Sequence, residues 1–195
     1  MDKKTALQLV KPHLTNHRYI HTVGVLETAV SLAKREGLAI EKVETAAIFH
    51  DYAKYRPVDE MRDIIVKQGW DEKFIRYNDE LLHGPAGTYL LEKEIGITDK
   101  EILSAIFWHT TGKPAMNELE KIIFLADYIE PNRNFPGIEK VREEAENSLD
   151  GAVIMALRNT ISFLMKKNQP VFPETLFAYN DLIVKWEEQN VKGRG

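Results

Sequence analysis

Six residues of metal-ligand type are candidates for one centre, spread over separate helical stretches: His21, the adjacent pair His50 and Asp51, His83, His109 and Asp127. Imidazole and carboxylate together suit iron, manganese or zinc, and the two oxygens of one carboxylate can bridge a pair of ions inside a helical bundle. The chain has no cysteine, so thiolate sites, disulfides and a cysteine nucleophile are excluded and any metal must be held by nitrogen and oxygen. His50-Asp51 closes an otherwise apolar run, Thr45-Ala46-Ala47-Ile48-Phe49. Neighbouring side chains on a helix point about 100° apart, so this pair serves one small site only if the helix stops there, or if Asp51 turns toward a second ion. A two-metal centre meets that condition.

The elements that must position these groups have helical period almost everywhere and strand alternation almost nowhere. Asn16 is the expected N-cap of a long helix whose apolar positions are Ile20, Val23, Val25, Leu26, Val30 and Leu32 and whose stop is Gly37. A second helix is expected from Ile40 to His50, a third after Pro57, and a fourth from Gly84-Pro85 to Gly96. Thr98 or Asp99 caps the next, which carries Ile102, Ala105 and Ile106 to His109 before Thr110-Thr111-Gly112 breaks it. Glu118 to Glu130 is strongly helical and Pro131 ends it. Two amphipathic helices follow, at 138–167, with an interruption expected near Gly151, and at 174–189; Lys192 to Gly195 reads as a tail.

On this pattern each candidate ligand lies on a core-facing stripe. His21 goes with Gly24, Val25 and Thr28, His50 with Val43, Ala46 and Ala47, His109 with Ile102, Ala105 and Ile106, and Asp127 with Ile123 and Phe124. A buried aspartate costs several kcal/mol unless a charge or a metal offsets it. One histidine on an apolar face is ordinarily a core residue; four, together with two aspartates, all facing inward, point to a shared centre.

With 195 residues, 44% of them hydrophobic, the chain can bury a sizeable core as one unit. A net charge of -4 gives no electrostatic footprint for nucleic acid, so an anionic substrate needs locally placed cations. No apolar stretch approaches the roughly 20 residues of a membrane helix, and Met1-Asp2-Lys3-Lys4 leads into no signal-peptide core, so the expected compartment is the cytoplasm. A homodimer is compatible with the sequence.

The series His21, His50-Asp51, Asp127 resembles the HD superfamily of metal-dependent phosphohydrolases, and His83 and His109 resemble the insertions of its dinuclear branch. Five ordered blocks, Arg18-Tyr19-Ile20-His21, His50-Asp51-Tyr52-Ala53-Lys54, His83-Gly84-Pro85, Trp108-His109-Thr110-Thr111-Gly112 and Asp127-Tyr128-Ile129-Glu130-Pro131-Asn132-Arg133, are similar to the YqeK-type proteins across nearly the whole chain. The resemblance implies an all-α HD-domain helical bundle with a dinuclear metal centre. Its core would span about 16–130 and its C-terminal helical extension about 138–189, as a single unit over 1–190 with a tail at 191–195. It implies symmetrical hydrolysis of diadenosine tetraphosphate to ADP. One ion would be held by His21, His50, Asp51 and Asp127, and a second by His83, His109 and the shared Asp51. Iron is the metal usually associated with the family; manganese or zinc fits the same donors. Coordination lowers the pKa of water toward about 7, so a bridging hydroxide would attack an inner phosphorus and no side-chain nucleophile is required.

On the substrate side, Lys54 and Arg133 can reach phosphate oxygens, the lysine as a point charge and the arginine as a fork. Arg18 is a further candidate, as are the amides and hydroxyls of Thr110, Thr111 and Gly112, although a helix stop accounts equally for Gly112. His13 is assigned to the surface and His17 is left open. Phe135 is a stacking surface or a loop anchor; Trp70, Trp108 and Trp186 are assigned to packing, and the Met155, Leu157, Ile161, Leu164, Met165 pattern to core. Two other readings remain: a different HD-type nucleotide phosphohydrolase or phosphodiesterase, and a non-catalytic helical module with a structural metal.

Overall fold

Helix α2, Asn16–Glu36, is the longest helix of the bundle, and both of its ends are chemically defined. Thr15, not Asn16, is the N-cap: its hydroxyl accepts from the Arg18 N–H at 3.2 Å. Gly37 ends the helix in the left-handed region at φ 71°. Ile20, expected inside, stays 56% exposed because the buried stripe runs through His21, Gly24, Val25 and Leu26. The computed structural model describes residues 1–192 and is all helical, with no strand among those residues.

Around α2 the chain adds α3 (Ile40–Phe49), α4 (Val58–Lys67), the short α5 (Lys73–Tyr77), α6 (His83–Leu90, continued by a π-helical turn Leu91–Ile95) and α7 (Lys100–Trp108). α8 (Glu118–Ile129), α9 (Ile138–Asn147), α10 (Leu149–Lys166) and α11 (Pro173–Lys192) follow. A first helix, α1 (Lys3–Val10), capped by Asp2, was not expected; it docks on α3 through Ala6 and Val10. Asp99, rather than Thr98, caps α7. The interruption expected near Gly151 falls at Ser148, which is extended and accepts from the Gly151 N–H, while Gly151 lies inside α10. The expected tail lies outside the described residues except for Lys192, which closes α11.

α8 is the axis of the molecule. Its residues from Leu119 to Ala126 are buried, an all-round burial typical of a central helix. An Asn117–Glu120 capping box starts it, and α2, α3, α7 and α10 pack around it. Tryptophans pack as expected: Trp70 meets Phe107 edge to face with ring centroids 5.2 Å apart, Trp108 lies against Phe74 at 5.9 Å, and Trp186 is half-buried against the core. His13 is not a free surface residue, since its ring lies on Tyr52 at 4.4 Å. Met165 is 65% exposed, so the core stripe of α10 ends before it. No described helix is long and apolar enough to cross a membrane.

Candidate metal centre

The helix carrying His50-Asp51 stops where the two side chains must diverge. α3 ends at Phe49, His50 is its C-cap, and the chain then turns, with Tyr52 N–H bonded to Phe49 O and Lys54 N–H to Asp51 O. Both residues are fully buried. The turn lets the Asp51 carboxylate face two groups of imidazoles at once. Oδ2 lies 3.0 Å from His50 Nε2 and 3.7 Å from His21 Nε2; Oδ1 lies 3.1 Å from His83 Nε2 and 4.0 Å from His109 Nε2. Asp127, from α8, completes the first group with Oδ1 at 3.0 Å from His21 Nε2. In the second group His83 Nε2 and His109 Nε2 are 3.0 Å apart. All six sequence-predicted ligands are therefore brought together, in two sets that share Asp51.

Close approach of the backbones makes this convergence possible. A Cβ on Gly84 would sit 2.7 Å from the Phe107 carbonyl oxygen, so only glycine lets the start of α6 abut the end of α7 and bring His83 against His109. A Cβ on Gly24 would collide with the Glu130 carboxylate. That matters because Glu130 Oε1 is 3.0 Å from His21 Nδ1, while its Oε2 accepts from the Asn132 backbone N–H at 2.7 Å and from Asn132 Nδ2 at 2.9 Å. Sequence reasoning missed Glu130 as part of the site.

The outer ring nitrogens fix the tautomers. His50 Nδ1 and His109 Nδ1 each lie 2.7 Å from a backbone carbonyl oxygen, of Ala47 and Ile106. A carbonyl only accepts, so Nδ1 carries the proton and Nε2 turns its lone pair into the centre. Burial, then the nearby His83 and His50, push His109 down to about 3, which keeps it neutral. Burial likewise lowers His83, against the pull of Asp51. For Asp51 burial works upward, yet His50 and His83 hold it well below the usual carboxylate range; Asp127 is held there against its own burial by Arg133 and His21. Burial works downward on His50, but Asp51, Asp127 and the Ala47 carbonyl together raise it.

Lone pairs and ionised carboxylates facing one another across 3–4 Å repel unless a cation lies among them. His21 Nε2, His50 Nε2 and Asp51 Oδ1 are sealed from water with no hydrogen-bond partner, and Asp51 Oδ2 has the Arg18 guanidinium beside it. Separations near 3.0 Å match neighbouring donors around a cation with bonds of about 2.1 Å. The buried set can thus bind metal ions, and it falls into two groups, His21, His50 and Asp51, and Asp51, His83 and His109.

A cavity of about 900 Å³ opens from the centre, and His83, His109 and Asp127 stand in its wall. Lys54, Arg133, Arg18 and Thr110 also line it. Lys54 pairs with Glu80 at 2.6 Å, Arg133 grips Asp127 through its carbonyl at 3.0 Å and its carboxylate at 2.7 Å, and Arg18 pairs with Asp51. Thr111 and Gly112 do not belong with them. Both are buried, both amides are taken by the Trp108 carbonyl, and the Thr111 hydroxyl donates to Gly112 O; Gly112, at φ 65°, is the helix stop. The expectation that they contact phosphate is corrected on that ground. Phe135 is half-buried in the cavity wall, its ring 5.1 Å from Tyr128. His17 is exposed.

Comparison with known proteins agrees with this architecture. The HD domain family model matches residues 18–132. A protein of Halalkalibacterium halodurans, "Bis(5'-nucleosyl)-tetraphosphatase, symmetrical", is 58% identical over 185 residues, 95% of this chain and 99% of the relative. A Bacillus subtilis protein of the same name is 54% identical over 183 residues, 94% and 98% of the two chains. The crystal structure of an HD superfamily hydrolase from Clostridium acetobutylicum, described as involved in NAD metabolism, superposes with a TM-score of 0.89 at 40% identity, covering 95% of this chain and 98% of that one.

Proposed function

We propose that this chain, which belongs to the HD-domain family, is a metal-dependent hydrolase that cleaves diadenosine tetraphosphate and related dinucleoside polyphosphates symmetrically to ADP. The observation that supports it most is the split donor set, with one Asp51 oxygen facing His21 and His50 and the other facing His83 and His109. In this reading His21, His50, Asp51 and Asp127 hold one ion, and His83, His109 and Asp51 hold the other. Bound there, two divalent ions, iron in our reading with manganese or zinc fitting the same donors, supply Lewis acidity and water acidic enough to attack phosphorus near neutral pH. Three protein donors on the second ion leave it open to substrate, as catalytic sites are and structural sites are not.

The chain's own residues do the rest. Lys54 and Arg133, on the cavity wall beside the centre, meet the polyphosphate charge; Arg133 also anchors Asp127. Arg18 pairs with Asp51 Oδ2 from the cavity wall and so offsets part of that carboxylate's charge. Placing an inner phosphorus at the centre, with one ADP half held on these cations, breaks the central anhydride: a P–O bond forms to the attacking oxygen and the second ADP leaves with the bridging oxygen. We place the enzyme in the cytoplasm and read 1–190 as one functional unit.

The test is chromatography of early products from the metal-loaded, anaerobically purified protein. Diadenosine tetraphosphate should give ADP alone, and a pentaphosphate ADP plus ATP. AMP and ATP from the tetraphosphate, or no turnover with iron or manganese supplied, overturns the reading. Including NAD in the panel addresses the Clostridium relative's description, since NAD carries a single anhydride and offers no symmetric cut between two ADP units.

A further inference from the structure

The cavity does not end at the phosphate-side cations. It continues to the C-terminal half of α10, where Asn159, Phe163 and Lys166 line it. Their i, i+4, i+7 spacing makes one stripe, about 10 Å long at 1.5 Å per residue. The N-terminal half of this helix is core, with Ala152, Val153, Ala156 and Leu157 buried, and the stripe continues the line of Ala152 and Ala156 beyond that core. Facing the stripe are Tyr128, at the end of α8, and Phe135, in the loop that follows, whose rings already satisfy each other edge to face. Asn159 stands across from Tyr128 in the cavity wall.

Phe163 differs from both. It is 57% exposed, and it meets no other ring among the described residues. An aromatic face standing in water at the wall of a cavity that also holds cations and a metal-binding centre suits a ligand with one flat apolar end and one anionic end. A nucleoside polyphosphate is such a ligand. We propose that the α10 stripe is a nucleoside subsite, with the base of one ADP half stacked on Phe163 while its phosphates run back to Lys54, Arg133 and the metals. Lys166, one turn beyond the ring, lies at the outer edge, where it meets the ribose side or a longer phosphate chain.

The inference rests on the phosphohydrolase reading of the centre, and the two fail differently. Calorimetric titration of the metal-loaded protein with ADP and, separately, with inorganic pyrophosphate reads the base and the phosphates apart. Phe163→Ala is expected to weaken ADP on the order of tenfold, the loss that follows removal of one ring from a base stack, with pyrophosphate unmoved and ADP affinity restored in Phe163→Trp. Because Phe163 is exposed, the variant should fold, and its melting temperature and metal content check that. Unchanged ADP binding in Phe163→Ala, or equal weakening of both ligands, overturns the subsite and leaves the hydrolase reading standing. A change of sedimentation with no change in ADP binding also overturns it, assigning Phe163 to contact with a second copy of the chain. If neither ligand binds the wild-type protein, the reading of the centre falls and the subsite with it.

Discussion

Replacing Glu130 by glutamine should weaken one of the two ions proposed for the centre. The carboxylate is buried between two sets of donors: His21 Nδ1–H on one side at 3.0 Å, and the Asn132 backbone N–H and Nδ2 on the other at 2.7 and 2.9 Å. A carboxylate accepts on both sides. An amide of the same size cannot, because its NH2 end must face either the imidazole or Asn132, donor against donor. With the NH2 toward the imidazole one buried hydrogen bond is broken, about 1.5–3 kcal/mol, and toward Asn132 two are, so the imidazole side is the one that gives way. His21 then no longer has its tautomer and ring orientation fixed; loss of such outer partners lowers metal affinity about 10–100-fold, which is about 1.4–2.8 kcal/mol and so agrees with the hydrogen-bond figure. The effect should be confined to one half of the centre, since His83 and His109 make no contact with Glu130. Chelator-competition titration should therefore find one tight ion retained and one weakened, and elemental analysis at limiting metal should move from two per chain toward one. Gly24→Ala, which would push the same carboxylate aside, should reproduce the pattern. Wild-type affinity for both ions in Glu130→Gln would refute the orienting role, and equal loss of both would show that the residue acts through general stability.

Asp51→Ala should lose both ions and melt earlier, because the shared carboxylate faces both imidazole groups; a fully loaded variant by elemental analysis would remove the bridge, and the exposed His17→Ala serves as control. Lys54→Ala should keep wild-type metal content while kcat/KM for diadenosine tetraphosphate falls roughly tenfold or more, since its partner is Glu80 rather than a ligand; unchanged kinetics would return Lys54 to the solvated surface. Chelation should lower the melting temperature of the protein by about 10–20 °C: two ions at about 100 times their Kd contribute about 2.7 kcal/mol each, and a chain of this size shifts about 2–4 °C per kcal/mol. A melting curve indifferent to chelator would mean that the centre is not loaded in the native protein.

The bundle and its centre were legible for one reason. Ligand chemistry restricts the residue types, and the 3.6-residue period then says which face each type occupies. His50-Asp51 shows how far that goes: helical geometry left two ways for the pair to serve a centre, a helix stop or an Asp51 turned toward a second ion, and α3 ends at Phe49. Boundaries were less legible where several residues can cap. Thr15 and Asn16 are both good N-caps, and the chain uses the one whose hydroxyl reaches Arg18. Ser148 and Gly151 both signal a break, and Ser148 takes it because its hydroxyl caps α10 by accepting from the Gly151 N–H. α1 has only Ala6 and Val10 on its buried side, too short a stripe for periodicity to register.

The substrate side was harder to read, and the reason is physical. Lysine, arginine, threonine, asparagine and phenylalanine are common on any helical protein, so nothing in their type marks a phosphate or nucleoside contact; proximity in the folded chain does. Thr111 and Gly112 stand next to a ligand in sequence yet spend their hydrogen bonds on ending α7. Glu130, 109 positions from His21, reaches it only because α2 and α8 lie side by side with a glycine at the crossing. The Asn159, Phe163, Lys166 stripe carried one available signal, a line that is apolar and buried at Ala152 and Ala156 and turns polar and aromatic past Leu157, but it gains meaning only with Tyr128 and Phe135 across the cavity. A helix whose second face is neither apolar enough to be buried nor charged enough to be merely solvated is thus the place to look for ligand contact once the metal end of a cavity is known.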